Sequence, residues 1–90
     1  MEQIIHYLRN VSSAENPIKG RDIADHFGIS GIDVRDAINK ARRASIPICS
    51  SRFGYYYSED KEDIKKTVES MRGRIVAQEN AIVGLSALLS

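Results

Sequence analysis

Arg35, Lys40, Arg42, Arg43 and Arg52 crowd one short stretch, with Asp36 as the one carboxylate among them. A cluster of this kind can bind phosphate without further help. Arg and Lys release condensed counterions from nucleic acid and supply most of its sequence-independent affinity. Asn39 lies in the same stretch, and its amide can pair with the edge of adenine. The competing reading is an ordinary solvated face, since 28% of all residues are charged. The distribution of charge argues otherwise. The 90 residues carry a formal net charge of only +1. Residues 1–57 hold eight Lys or Arg against six Asp or Glu, and residues 58–90 hold five against six. The positive charge is therefore local.

Other chemistry is poorly supplied. His6 and His26 have no third ligand at a metal spacing. Cys49, between Ile48 and Ser50, reads as a small buried residue rather than a nucleophile. One cysteine excludes an intrachain disulfide and fits a reducing compartment. No phosphate loop, dinucleotide fingerprint or serine elbow is present. No catalytic residue, metal, cofactor, small-molecule substrate or separate ligand domain is expected. The N-terminus lacks a basic stretch followed by an apolar run, so no signal peptide is expected. No apolar stretch approaches the roughly 18 residues that span a bilayer. The expectation is a soluble cytoplasmic protein with no membrane partner.

The elements that must position the cluster follow from periodicity and punctuation. Ile4, Ile5 and Leu8 share one face of a first helix over Glu2–Asn10, and "SSAENP" breaks it. A second helix begins near Lys19 or Gly20, turns Ile23, Ala24 and Phe27 inward, and stops at Gly28. Ser30 and Asp33 form a capping-box-like start to a third helix. Val34, Ala37, Ile38, Ala41 and Ala44 share its inner side. Ile32, Asp36, Asn39 and Arg43 lie opposite, flanked by Arg35 and Lys40. Pro47 ends that helix. Ile48–Ser50 and Tyr55–Tyr57 read as two short strands joined by a four-residue connection, Ser51–Gly54. Alternation puts Tyr56 on one face of the hairpin and Tyr55 and Tyr57 on the other.

A last helix follows Ser58, with Glu59, Asp60, Glu62 and Asp63 where the helix dipole favours acids, and runs to Leu89. Ile64, Val68, Met71, Ile75, Gln78, Ile82, Leu85 and Leu89 alternate steps of four and three, a heptad seam with one polar member. Such a seam either packs back on its own domain or pairs with a second copy. Its length, nearly four heptads, favours pairing. Arg74 and Glu79 then fall at g and e positions that attract across a parallel dimer.

In this order the elements describe a mainly α fold with a small β-hairpin. The stretches "IKGRDIADHFGIS", "VRDAINKARRASIPICSS" and "GYYY" resemble the winged helix–turn–helix of the biotin-repressor type, and small bacterial and prophage DNA-binding proteins built on it. The resemblance covers roughly residues 3–57. It implies a winged domain over 1–57, followed over 58–90 by a coiled-coil-like helix for dimerisation or partner binding. The family often has Ser or Thr where this chain has Lys19, so the second helix should begin without its usual cap.

The resemblance also makes the third helix the recognition helix, with its N-terminal residues at base edges in the major groove. The expected DNA-binding set is Ser30, Ile32, Arg35, Asp36, Asn39, Lys40, Arg42, Arg43 and Arg52. Ile32 packs on a thymine methyl, Arg35 reaches a guanine edge or a phosphate, and Asn39 meets adenine. Asp36 accepts from cytosine or pairs with Lys40 one turn on. Arg52 reaches a phosphate or a narrow minor groove from the wing tip. The expected function is sequence-specific binding of double-stranded DNA by a homodimer, as a transcriptional regulator or a replication or recombination factor of phage or prophage type. The second reading is a protein-interaction module that grips a larger protein through the winged helix or the C-terminal apolar seam. Asp33 and Asp36, which DNA repels, favour it.

Overall fold

Ile4 and Leu8 sit one turn apart on α1 (Glu2–Val11), and both are buried. The computed structural model describes residues 2–89. α2 (Gly20–Phe27) adds Ile23 and Ala24 to the same core, and α3 (Gly31–Arg43) adds Val34, Ile38 and Ala41. Fully burying each large aliphatic side chain contributes about 1.5–3 kcal/mol, so this three-helix contact supplies most of the domain's drive to fold. The chain continues through strands β1 (Ile48–Ser51) and β2 (Gly54–Tyr57), helix α4 (Lys61–Ser86) and a 3₁₀ turn over Ala87–Leu89. The architecture is a winged helix–turn–helix, mainly helical, with a two-stranded antiparallel wing and a long C-terminal helix.

Local punctuation works as its chemistry dictates. Lys19 opens α2 with no side-chain cap. Gly28 takes the left-handed conformation, φ 65°, and the amides of Gly28 and Ile29 both reach the carbonyl of Ala24. Ser30 Oγ accepts from the amide of Asp33 at 3.0 Å and starts α3. One inner-face expectation fails. Ala44 is exposed, because α3 ends at Arg43 and Ser45, φ 63°, already reverses the chain.

The wing is tighter than its sequence implies. Ser51 pairs with Gly54, so the strands close on a two-residue tip, Arg52-Phe53, instead of a four-residue connection. Ser51 Oγ accepts from the amide of Phe53 at 3.2 Å and holds the turn. An isolated antiparallel bridge adjoins β2, where Ile18 and Tyr55 exchange two backbone bonds of 2.8 Å. Gly54 makes that approach feasible. Its φ is 142°, and a Cβ there would lie 2.5 Å from the carbonyl carbon and oxygen of Ile18. The amide of Tyr57 donates to Ser12 Oγ at 2.9 Å and ties β2 to the end of α1.

The hairpin separates two layers. Ile48, Tyr55 and Tyr57 pack on the helical core. Cys49 and Tyr56, 2% and 5% exposed, pair with each other across the strands and lie on the other face. There Cys49 shares a crevice with Ile64, Thr67, Val68 and Met71 of α4. Asp60 caps α4 by accepting from the amide of Glu62 at 2.8 Å. Thr67, the buried residue of α4, accepts from the amide of Ser50 at 3.2 Å and donates to the carbonyl of Asp63 at 3.0 Å. The helix is thus bolted to the open edge of β1.

The heptad seam therefore has two surroundings. Ile64 and Met71 are half-buried against the wing, whereas every described position from Arg72 to Leu89 is exposed. At 26 residues α4 is about 39 Å long. The heptad spacing predicts one helix to Leu89, but the last described residues tighten into the 3₁₀ turn. Among the described residues no helix is long and apolar enough to cross a membrane.

Candidate nucleic-acid interface

Ser30, Ile32, Arg35, Asp36, Asn39, Lys40 and Arg43 all stand exposed on α3 and its cap. Burying Val34, Ile38 and Ala41 rotates that face outward, since positions two residues away on a helix lie about 200° around it. Ile32 is 62% exposed, and no other apolar side chain of α3 is left in water to that degree. Ser30 is spent on the cap, so its hydroxyl positions the helix N-terminus. Asp36 and Lys40 sit one turn apart on the outer face.

Arg42 is placed differently from the other basic residues. It is half-buried, and its Nε donates to the carbonyl of Ile48 at 2.8 Å. Its Nη2 donates to Ser50 Oγ at 3.2 Å, and the guanidinium lies 5.8 Å from the centre of the Tyr55 ring. Burial pulls its pKa down from the usual range, countered by Tyr55 and Cys49, with the like charge of Arg74 lowering it further. Arg42 staples α3 to β1. Hydrogen bonds to a charged donor contribute about 1.5–3 kcal/mol, so Arg42→Ala is expected to lower stability by about 2 kcal/mol. Urea titration reads this as an earlier unfolding midpoint. An unchanged midpoint with weaker DNA binding would mean that Arg42 serves DNA instead of the fold.

Arg52 occupies the wing tip, its guanidinium 4.8 Å from the Phe53 ring centre. Phe53 is exposed, and its ring is within cation–π reach of that guanidinium. Between α3, the wing and α4 runs an open groove of about 730 Å³. Arg35, Asn39 and Arg42 line it from α3, the whole hairpin tip from one side, and Arg74, Ile75 and Gln78 from α4. Lys19, ahead of α2, also lines it. Lys19 carries no local signal for this groove, and the heptad spacing assigns Gln78 to a helix–helix seam with Arg74 beside it. Nothing local marks them, because only the crossing of α4 over β1 brings them to the groove.

The remaining reactive side chains are occupied in structural roles. His26 stacks on Tyr7 with ring centres 4.4 Å apart and meets Phe27 edge-on. His6 faces Asn10 one turn along α1. Burial pushes the Cys49 thiol up, with a hydrogen bond from Thr67 opposing, and Sγ donates to the carbonyl of Ser58 at 3.9 Å. A thiol raised in this way is a poor nucleophile at neutral pH. Among the described residues no group of three or more His, Cys, Asp or Glu could hold a metal ion.

No curated protein and no solved structure matches this chain. A family model does, over residues 1–46, and its description is FaeA-like protein. The matched segment takes in α1, α2, the turn at Gly28 and all of α3, and stops just before the wing. That is more than half of the chain, and it contains the whole helix–turn–helix: the chain belongs to the FaeA-like protein family.

Proposed function

We propose that this protein binds duplex DNA sequence-specifically as a homodimeric regulator, with a winged helix–turn–helix of the biotin-repressor type. Membership in a family of helix–turn–helix-like regulators supports the regulatory part of this reading. The observation that carries the rest is the outer face of α3. Ile32, Arg35, Asn39, Lys40 and Arg43 stand in solvent beside the cation of the wing tip, on a helix held rigid by its buried side. α3 enters the major groove, Arg35 and Asn39 meet base edges, and Arg52 rests on the sugar–phosphate backbone. Asp33 lies at the cap, its amide engaged by Ser30, and leaves Asp36 as the one acid on the reading face.

The distal part of α4 supplies the second half of the site. From Ile75 to Leu89 the chain carries a single charged residue, Glu79. Ile82, Val83, Leu85, Leu88 and Leu89 are exposed, the last 88% exposed. A surface with so little charge suits a second copy of itself, and two copies present two α3 helices to adjacent half-sites of the duplex. A larger protein partner on the same surface is the rival reading, and it predicts a monomer when the chain is alone.

The test is a selection of bound sequences from a random duplex pool, followed by anisotropy titrations in graded salt. Arg35→Ala is expected to weaken the selected site by about 1–3 kcal/mol and to relax preference at one base position. Failure to enrich any sequence, with no binding even in dilute buffer, refutes the DNA reading. Sedimentation of the intact chain as a monomer removes the homodimer.

A further inference from the structure

Thirteen cations and twelve acids are spread along this chain, yet the groove between α3, the wing and α4 collects Lys19, Arg35, Arg42, Arg52 and Arg74 and no carboxylate. These five come from four separate parts of the fold, so no single helix pattern explains the sorting. We propose that α4 is the third wall of the DNA-binding surface and that Arg74 contacts a backbone phosphate of the duplex lying against α3. This rests on the DNA reading above and extends it to an element outside the matched family segment.

The groove opens along α3 at Arg35 and Asn39, the same residues that face base edges in that reading. A duplex seated on α3 and the wing therefore presents one phosphate strand toward α4. Arg42 spends two donors on β1 and adds positive field rather than a free contact. Arg74 is exposed and lies near enough to Arg42 for its charge to lower the Arg42 pKa. With no acid lining the groove to offset them, an anion between them relieves that repulsion. Phosphate is the anion that duplex DNA offers along its whole length, and contacts to it set register without reading sequence. Lys19 lines the same groove and adds a further cation to it. Arg74 is then withdrawn from an interhelical pair with Glu79, since one guanidinium does not serve both.

The experiment uses the full chain and a fluorescein-labelled mixed-sequence duplex two turns long, titrated between about 50 and 200 mM salt. Arg74→Ala is expected to lower affinity roughly three- to tenfold at low salt and to reduce the log–log salt slope by about one. Arg74→Lys keeps the charge and most of the binding. Arg72→Ala, exposed on α4 but off the groove, behaves as the unsubstituted chain. Sedimentation stays the same for all three. If Arg35→Ala weakens binding while Arg74→Ala matches Arg72→Ala, α4 is no wall and only this inference falls. Loss of self-association in Arg74→Ala assigns the residue to the helix pair and overturns it as well. If the unsubstituted chain ignores DNA, the DNA reading falls and takes the inference with it. Arg74-dependent binding of polyglutamate in that case marks an acidic protein as the occupant.

Discussion

Gly54→Ala is expected to cost about 3 kcal/mol or more, a large share of the roughly 5–15 kcal/mol that holds a domain together. Two effects add. At φ 142° an L side chain is strained whatever space surrounds it, and here the new Cβ would sit 2.5 Å from the backbone of Ile18. Backbone atoms cannot swing aside as a flexible side chain can. Relief requires breaking the paired bonds between Ile18 and Tyr55, which detaches the segment carrying Lys19 from the wing carrying Arg52. Gly28→Ala is the comparison. Gly28 is also left-handed, at φ 65°, but nothing lies within 4 Å of a Cβ there, so only the conformational strain of about 1 kcal/mol remains. Urea unfolding of both variants measures the difference. Equal midpoints would show that the Ile18 contact does not hold the wing.

Cutting the chain after Tyr57 is expected to cost about 3–5 kcal/mol, whereas cutting after Arg72 leaves stability close to that of the intact chain. Cys49 and Tyr56 lie on the hairpin face turned away from the helical core, and the crevice beside Cys49 is closed by Ile64, Thr67, Val68 and Met71. The shorter fragment loses that cover, and the amide of Ser50 loses Thr67 Oγ1. The longer fragment keeps both, and every described residue that it loses is exposed. It is expected to fold as a monomer, since the run from Ile75, with its single charge, is gone, and to bind DNA less tightly without Arg74. Thermal unfolding by circular dichroism, with sedimentation alongside, separates these outcomes. A 1–57 fragment that melts with the intact chain would make α4 an independent appendage.

Much of this protein is legible from neighbours along the chain. The Ser30 cap, the Gly28 stop, the buried stripe Val34–Ile38–Ala41 and the alternation of the three tyrosines each depend on residues within a turn or across a tight hairpin. Stereochemistry at that range is dictated by residue type, so the elements and the outward face of α3 follow from sequence. The heptad pattern of the last helix is legible in the same limited sense. Its spacing states that one side of α4 is apolar.

What covers that side is a question of distant partners, and the tertiary structure decides it differently along the helix. Ile64 and Met71 meet the edge of β1, Ile75 and Gln78 line a charged groove, and Ile82 to Leu89 stay in water. An apolar stripe lowers its free energy against any dry surface of the right shape, so period alone cannot choose between a strand edge and a second helix. Arg42 makes the same point for charge. Its place in a basic cluster speaks for DNA, but the unpaired carbonyl of Ile48, six residues on, claims it once β1 folds back along α3.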